Sequence, residues 1–507
     1  MNAIWQAFSL VFDPYVLMVI AGSAMFGLFV GAVPGLTATM AVALLVPITF
    51  FMEPVPAIAA IATAVTMAIF AGDVPGALLR IPGTPASAAY ADEAFAMTRK
   101  GEAEKALGTS LVCACIGGLF GACVLTFAAP ALAEVALKFS SFEFFWLACL
   151  GLSCAVFISR GSVVKSLVSL LLGLLIATVG VDIISGYPRF TFSSVELMGG
   201  VSFIPAMIGM FAIPEIIRFA TERRQVLPQH KAAIGKLFHG IGATLRRYKL
   251  NVLRSSILGT AIGVLPGAGA DIAAWVAYAT SKKMSKEPEK FGQGHVEGLV
   301  DAGSANNAAL GGAWVPAMVF GIPGDSVTAI VIGVLYMKGM NPGPTVFLNR
   351  PDLVYSVFIV FILANLILLP FGYLLIRLAR HILQVPRRAL MPIILLFCIV
   401  GSFAINNTAF GVSVMLVLGL LAFIMEENDI PVAPAILGIV LGPLLEGNFI
   451  TSMIKADGSY LAFFERPIAA VLGVVTLAIW LLPPVLKWLL GRTRATAGQI
   501  DADKSNG

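Results

Sequence analysis

Four short glycine and proline motifs interrupt apolar stretches of this chain and leave backbone groups without helical partners. Gly27-Leu-Phe-Val-Gly31-Ala-Val-Pro34-Gly35 is matched by Gly259-Thr-Ala-Ile-Gly263-Val-Leu-Pro266-Gly267, and Ile81-Pro82-Gly83 is matched by Ile322-Pro323-Gly324. Proline ends a helix, and the adjoining glycine lets the chain restart in a new direction. Each restarted segment begins with unpaired N–H groups and a partial positive charge, which together can bind an anion.

Polar side chains follow these motifs closely. Asp271 and Asp325 are ionisable residues inside apolar segments, which favours a role as cation ligands or proton carriers, although Asp also caps helices. The amide oxygens of Asn306 and Asn307 suit a hard cation such as sodium. Arg80 could pair with an anionic substrate, or form a salt bridge for which Asp73 is a candidate partner. The nearby Thr and Ser hydroxyls could donate to a carboxylate or bond the turn before them.

The elements that carry these motifs are membrane helices. The chain has 507 residues, of which 58% are hydrophobic and 12% charged, and no long polar block provides a soluble catalytic or nucleotide-binding domain. Its basic residues lie in short loops, which argues against a nucleic-acid partner. We therefore predict an all-α polytopic protein that resides in a lipid bilayer and needs no cofactor. Interrupted helices survive there only where they are buried in protein or line a cavity.

The duplicated motifs divide the chain into two homologous halves. The loop Phe51 to Pro56 carries only Glu53, whereas its counterpart after residue 281 carries four lysines, so the positive-inside rule places the two loops on opposite sides. This predicts two inverted-topology repeats with broken or re-entrant helices, the N-terminus outside and the C-terminus inside. The expected domains are a first inverted repeat over 1–220, a basic cytoplasmic connector over 221–250, a second inverted repeat over 251–446, and a loop, one extra C-terminal span and a cytoplasmic tail over 447–507.

Broken helices in corresponding positions of two inverted halves are typical of a secondary transporter with a midplane site. We expect half two, with its carboxylates, to favour a coupling cation, and half one to favour a carboxylate substrate. The substrate-binding candidates are Pro34, Gly35, Thr37, Thr39, Arg80, Pro82, Gly83, Thr84, Ser87, Pro266, Gly267, Gly269, Pro323 and Gly324. The coupling-ion candidates are Asp271, Asn306, Asn307, Asp325 and Ser326.

At these residues the sequence resembles the large permease subunit of the tripartite tricarboxylate transporter family (TctA-type). The motifs that carry the resemblance include Ile81-Pro82-Gly83-Thr84-Pro85, Leu265-Pro266-Gly267-Ala268-Gly269-Ala270 and Asn341-Pro342-Gly343-Pro344. The resemblance implies a bacterial inner-membrane permease that works with a small four-span membrane subunit and a periplasmic solute-binding protein. It also implies that an ion gradient, of sodium or protons, drives transport rather than ATP. Members of the family usually have an uncharged polar residue where Arg80 stands.

The main hypothesis is cation-coupled uptake of a small carboxylate of the tricarboxylate or dicarboxylate class. A passive anion channel would differ by failing to accumulate its solute. An intramembrane aspartyl protease is disfavoured because Gly267-Ala-Gly-Ala-Asp271 is one residue longer than the Gly-x-Gly-Asp motif of such enzymes. An ATP-driven permease would have no reason to carry duplicated broken helices in inverted orientation.

Overall fold

The computed structural model describes residues 2–34, 36–158, 162–182, 185–221, 237–267, 269–382 and 387–481, and their regular structure is helical apart from one pair of two-residue strands. Gly35, residues 222–236 of the predicted connector and the residues after 481 lie outside these ranges. The helices of half one are α1 (Asn2–Val11), α2 (Pro14–Ala32), α3 (Ala38–Phe50), α4 (Pro54–Ala71), α5 (Asp73–Leu79), α6 (Ala91–Arg99), α7 (Ala103–Ala136), α8 (Ser141–Ile158), α9 (Val163–Ala177), α10 (Val195–Met198) and α11 (Phe203–Thr221).

The strands β1 (Gly180–Val181) and β2 (Pro188–Arg189) pair antiparallel between α9 and α10. The later helices are α12 (Ile241–Arg247), α13 (Lys249–Val264), α14 (Gly269–Met284), α15 (Val296–Phe320), α16 (Ser326–Met337), α17 (Val346–Asn349), α18 (Pro351–Ile382), α19 (Arg387–Asn406), α20 (Ala409–Glu427), α21 (Ala433–Lys455) and α22 (Pro467–Leu481). The boundary predicted at residue 446 falls inside α21. The segment 237–250 of the predicted connector forms α12 and the start of α13.

Seven helical segments of the described chain are long and apolar enough to cross a membrane, and α3, α9 and α16 are among the shorter apolar helices. The protein is thus an all-α polytopic membrane protein, as predicted. The segment over α4 and α5, Pro54–Leu79, is completely buried in its apolar window, whereas α20 is only 39% buried. The α4 and α5 segment therefore lies at the centre of the helix bundle, and the outer helices present apolar side chains to lipid.

Glycines allow the helices that carry the breaks to pack at backbone contact. A Cβ added at Gly27 or Gly31 of α2 would overlap the backbone of α4, at Ala64 and Ala68 respectively. In half two, a Cβ at Gly259 or Gly263 of α13 would overlap the backbone of α15, at Ala305 and Ala309 respectively. Glycines spaced four residues apart allow this close helix packing, and the same contact occurs once in each half.

Other glycines join the two halves reciprocally. Gly173 of α9 packs on the backbone of Ala435 in α21, and Gly209 of α11 packs on the backbone of Met415 in α20. In the sequence, Leu170-Leu-Leu-Gly173-Leu-Leu175 of α9 is matched by Leu416-Val-Leu-Gly419-Leu-Leu421 of α20, and Pro205-Ala206 of α11 by Pro434-Ala435 of α21. Each helix therefore contacts the counterpart of the other. A two-fold relation between the halves would produce this exchange. The inverted orientation across the membrane stays a prediction.

We expect Gly27→Val to lower the apparent melting temperature of the detergent-purified protein by several degrees, because the new side chain must displace the α4 backbone. Overpacking of a well-packed site typically costs about 1–3 kcal/mol, through off-rotamer side chains and backbone shifts. Gly22→Val is the matched control in the same helix, since a Cβ at Gly22 meets no atom within 4 Å. Equal melting temperatures for the two variants would contradict the close approach of α2 and α4.

Candidate functional site

Three of the four motifs interrupt the helices where the sequence predicts it. The chain leaves α2 after Ala32 and re-enters a helix at Ala38, with Thr37 as N-cap whose hydroxyl accepts from the Met40 N–H at 3.2 Å. Likewise α13 ends at Val264 before α14, and α15 ends at Phe320 before α16. We call the intervening residues 33–37, 265–268 and 321–325 the α2–α3, α13–α14 and α15–α16 breaks.

The remaining motif forms the α5 break, residues 80–86, and differs from expectation. No α-helix restarts at Gly83; a three-residue 3₁₀ turn at Ser87–Ala89 follows, and α6 begins at Ala91. The reason is local, because Thr84 and Ser87 each donate a backbone N–H to the other's hydroxyl at 3.1 Å and thereby close a turn. At the α15–α16 break, Asp325 and Thr328 form the same reciprocal pair, but there it caps a full helix.

Arg80 is occupied at the surface. It ends α5 in the left-handed conformation, with φ of 61°, where Gly321 ends α15 with φ of 67°. Its guanidinium pairs with Asp92 at 2.8 Å, and both side chains are more than 60% exposed. The partner suggested from the sequence, Asp73, is therefore wrong, because the left-handed turn directs Arg80 towards α6. Asp92 itself lies in the first turn of α6 and not in a loop.

The four breaks meet one another across the halves. The Thr39 hydroxyl of α3 lies 3.1 Å from the Ser326 hydroxyl of α16, and the Asp271 carboxylate of α14 accepts the Ala86 N–H at 3.1 Å. Within half two, Gly269, with φ of 55°, also lies so close to Asp325 that any Cβ would overlap that side chain. The α2–α3 break is thereby joined to the α15–α16 break, and the α5 break to the α13–α14 break.

Contacts also join the breaks within each half. A Cβ at Gly83 would lie 2.8 Å from the Gly31 carbonyl, and a Cβ at Gly324 would lie 2.9 Å from the Gly263 carbonyl. These are equivalent positions of the repeat. The predicted proline and glycine residues thus lie where backbone approaches backbone, and they bring two breaks of the same half into contact.

The short helix that follows the first break of each half runs beside an interrupted segment of the other half. These pairs are α3 with α16, and α14 with the α5 break and α6. Beyond the Thr39 contact, α3 and α16 meet again at their ends, where the Lys338 ammonium donates to the Phe50 carbonyl at 2.8 Å. On the other side, the Trp275 indole donates to the Pro85 carbonyl at 3.1 Å and the Tyr278 hydroxyl to Glu93 at 2.8 Å. The start of α3 therefore lies at the α15–α16 break, and α14 lies against the α5 break.

The coupling-ion candidates fall in two places. Asp271, Asp325 and Ser326 lie at the breaks, where Asp271 is exposed and the Asp325 carboxylate accepts from Thr328 at 2.8 Å. Asn306 is buried in α15 and donates to the Tyr90 hydroxyl at 3.3 Å. The side-chain oxygens of Asn306 and Asn307 have no hydrogen-bond partner within the described residues.

Asp73 is a buried residue that the sequence analysis considered only as a partner for Arg80. Its carboxylate accepts from the Tyr90 hydroxyl at 2.5 Å and from the Ser110 hydroxyl. Asn306 extends this group through Tyr90. The signal that identified Asp271, an acidic residue in an apolar stretch, applied equally to Asp73.

Further polar contacts connect α14 and α15 to α13 and α6. The Asp301 carboxylate is fully buried and pairs with Arg254 at 2.9 Å, while Ser281 donates to it at 2.5 Å. The Glu93 carboxylate accepts backbone N–H groups of Gly292, Gly294 and His295 just before α15. These long-range partners leave no pattern in the sequence by which they could have been predicted.

Comparison with known proteins gives a consistent result. Residues 17–437 match the model of the family described as "Tripartite tricarboxylate transporter TctA family". An uncharacterized 52.8 kDa protein of the TAR-I ttuC' 3' region of Agrobacterium vitis is 37% identical over 466 residues, covering 90% of this chain and 92% of that protein. A protein of the TAR-II ttuC' 3' region of the same organism is 37% identical over 230 residues, covering 45% and 95%. No solved structure matches. The chain belongs to the tripartite tricarboxylate transporter TctA family.

Proposed function

We propose that this protein is the large membrane subunit of a binding-protein-dependent secondary transporter, and that it takes up small tricarboxylates or dicarboxylates with a cation gradient. Its proposed partners are a small four-span membrane subunit and a periplasmic solute-binding protein. The proposed location is the bacterial inner membrane, with the N-terminus outside. Family membership supports the tripartite assembly. The meeting of breaks from both halves supports a shared site.

The contact between Thr39 and Ser326 carries the proposed binding site. It brings the N-termini of α3 and α16 together, and both are more than ten residues long. Two helix N-termini direct partial positive charge and unpaired N–H groups to one place, and the two hydroxyls can rotate to donate to a carboxylate. An anion bound there contacts both halves. Movement of one group of helices against the rest of the bundle then changes the side from which the site is open.

Charge distribution supports cation coupling. Asp271 and Asp325 lie at the breaks beside this anion site, where the Asp271 carboxylate accepts the Ala86 N–H and the Asp325 carboxylate accepts the Thr328 N–H. A cation bound with the substrate would compensate these negative charges and favour the loaded state. A passive channel needs no such compensation, so accumulation against a gradient separates the two functions.

Reconstitution with both partner subunits provides the direct test. We expect vesicles to accumulate labelled citrate or succinate, as probes of the two substrate classes, above the external concentration when a sodium or proton gradient is imposed. Vesicles that lack the binding protein are the control. Uptake that ignores both gradients, or that stops at equal concentrations, would contradict secondary transport.

Removing either hydroxyl at the contact of α3 and α16 should weaken substrate binding. We expect Thr39→Val or Ser326→Ala to raise the half-saturating substrate concentration about two- to tenfold, since one lost hydrogen bond costs about 0.5–1.5 kcal/mol. Thr126→Val is the control, because the Thr126 hydroxyl bonds the Ala122 carbonyl of its own helix at 2.7 Å. Unchanged half-saturation in both site variants would place the substrate elsewhere.

A further inference from the structure

We propose that Asp73 is the residue that binds the coupling cation, and that this cation is a proton. The inference rests on the function proposed above and deepens it, because it names the ion and the group through which a gradient acts. Asp73 is not one of the predicted ion candidates, and it shares a hydrogen-bonded group with one of them, Asn306 of α15.

The surroundings of Asp73 consist of neutral polar groups. The residue begins α5 and is 5% exposed. The Tyr90 hydroxyl bonds one carboxylate oxygen at 2.5 Å, and the Ser110 hydroxyl of α7 bonds the other. The Asn306 amide nitrogen donates to Tyr90, while its oxygen is buried and has no partner in the described part of the chain. The Asn306 side-chain oxygen is therefore available to accept a hydrogen bond when a proton is added to this hydrogen-bonded group.

Other buried carboxylates in the described structure have stronger partners than Asp73. Glu143 and Asp301 each pair with an arginine, at 2.6 and 2.9 Å. Glu93 accepts three backbone N–H groups, and Glu297 accepts from an amide and lies 3.8 Å from a histidine ring. A carboxylate away from water is costly to keep charged without a cation or several donors. Asp73, which is held by two hydroxyls, is the one best suited to accept a proton.

Ionisable groups on the elements around Asp73 are engaged elsewhere, apart from Tyr90. On α6, Glu93 bonds the loop before α15; on α15, Asp301 bonds Arg254. On α7, the Cys115 thiol bonds the Asn365 carbonyl, and Cys113 is a buried thiol. At the end of α5, Arg80 pairs with Asp92. The ionisable residues at the starts of α2 and α4, Tyr15 and Glu53, lie at the helix ends opposite to α5. The charge of Asp73 is therefore compensated by no neighbouring side chain that these contacts include.

A proton fits this group better than a metal cation. Both carboxylate oxygens are already in contact with hydroxyls, so a proton adds to one oxygen without displacing any side chain. A metal ion would need several oxygen ligands at bonding distance and space for its own volume, whereas the Tyr90 and Ser110 hydroxyls already lie at hydrogen-bond distance from the two carboxylate oxygens. The proton binds from one side of the membrane to give the neutral carboxyl group. It leaves on the other side and restores the carboxylate.

The position of Asp73 explains how its protonation reaches the substrate site. Its neighbour Gly72 accepts the Gly83 N–H at 3.0 Å, and Tyr90 follows the α5 break. The hydrogen bond between Asp73 and Tyr90 thus closes a loop that contains the break. Ala86 within that loop bonds Asp271 of half two. A change at Asp73 therefore reaches the opposite half through the contacts of Asp73 with Tyr90, of Gly72 with Gly83 and of Ala86 with Asp271.

Infrared difference spectroscopy of the purified full chain in lipid vesicles tests the proposal directly. We expect a step from alkaline to acidic buffer to produce the C=O stretch of a protonated buried carboxyl group. Asp73→Asn should lose this band. Asp429→Asn, at a carboxylate whose side chain is 94% exposed, should keep it. A band that persists in Asp73→Asn, or that responds to sodium and not to pH, would overturn the proposal.

Two further variants decide the matter if Asp73→Asn does not fold. Tyr90→Phe and Ser110→Ala each remove one hydroxyl from the carboxyl group, so the band should remain and move to higher frequency. An unmoved band in both variants would assign it to another residue. In the reconstituted tripartite system, lack of citrate and succinate uptake by the unaltered protein would refute the proposed function while leaving the band intact. Proton-driven uptake that is undiminished in Asp73→Asn would overturn the role of Asp73.

Discussion

The structure depends on one constraint, which is that backbone polar groups in hydrocarbon must find their partners inside the protein. A proline and glycine break violates this locally, so the breaks must be covered by other protein elements. Here each break is covered by a break of the other half, through Thr39 with Ser326 and through Ala86 with Asp271. Four elements that would each be costly alone therefore support one another and define one polar region.

Close helix packing allows the breaks to contact one another. Glycines on α2 and α13 allow backbone contact with α4 and α15, the two central helices that carry a break. Because the helices approach so closely, Gly83 and Gly324 can reach the carbonyls of Gly31 and Gly263. Glycines, which have no side-chain functional group, thus determine where the backbone N–H and C=O groups of the breaks lie.

The sequence predicts most of the fold because hydrocarbon length and proline chemistry act locally. The helix starts at Ala38, Gly269 and Ser326 follow from the motifs before them. It fails where a competing local turn or a tertiary partner decides the structure. The α5 break closes into a turn through Thr84 and Ser87, α9 ends at Ala177 although an apolar run continues, and Gly180 beyond it adopts φ of 122° to begin a strand. The bonds of Asp73 and Glu93 depend on residues distant in sequence and could not be predicted from it.

The Glu93 carboxylate binds the backbone of the segment 292–295, and Tyr278 of α14 binds the same carboxylate. An element of half one is therefore fastened to the hairpin of half two by four hydrogen bonds. Any rigid-body displacement that keeps these bonds must carry α6, α14 and the start of α15 as one piece. The boundary between the two sequence halves is consequently not a boundary along which these elements can separate while the four hydrogen bonds are kept.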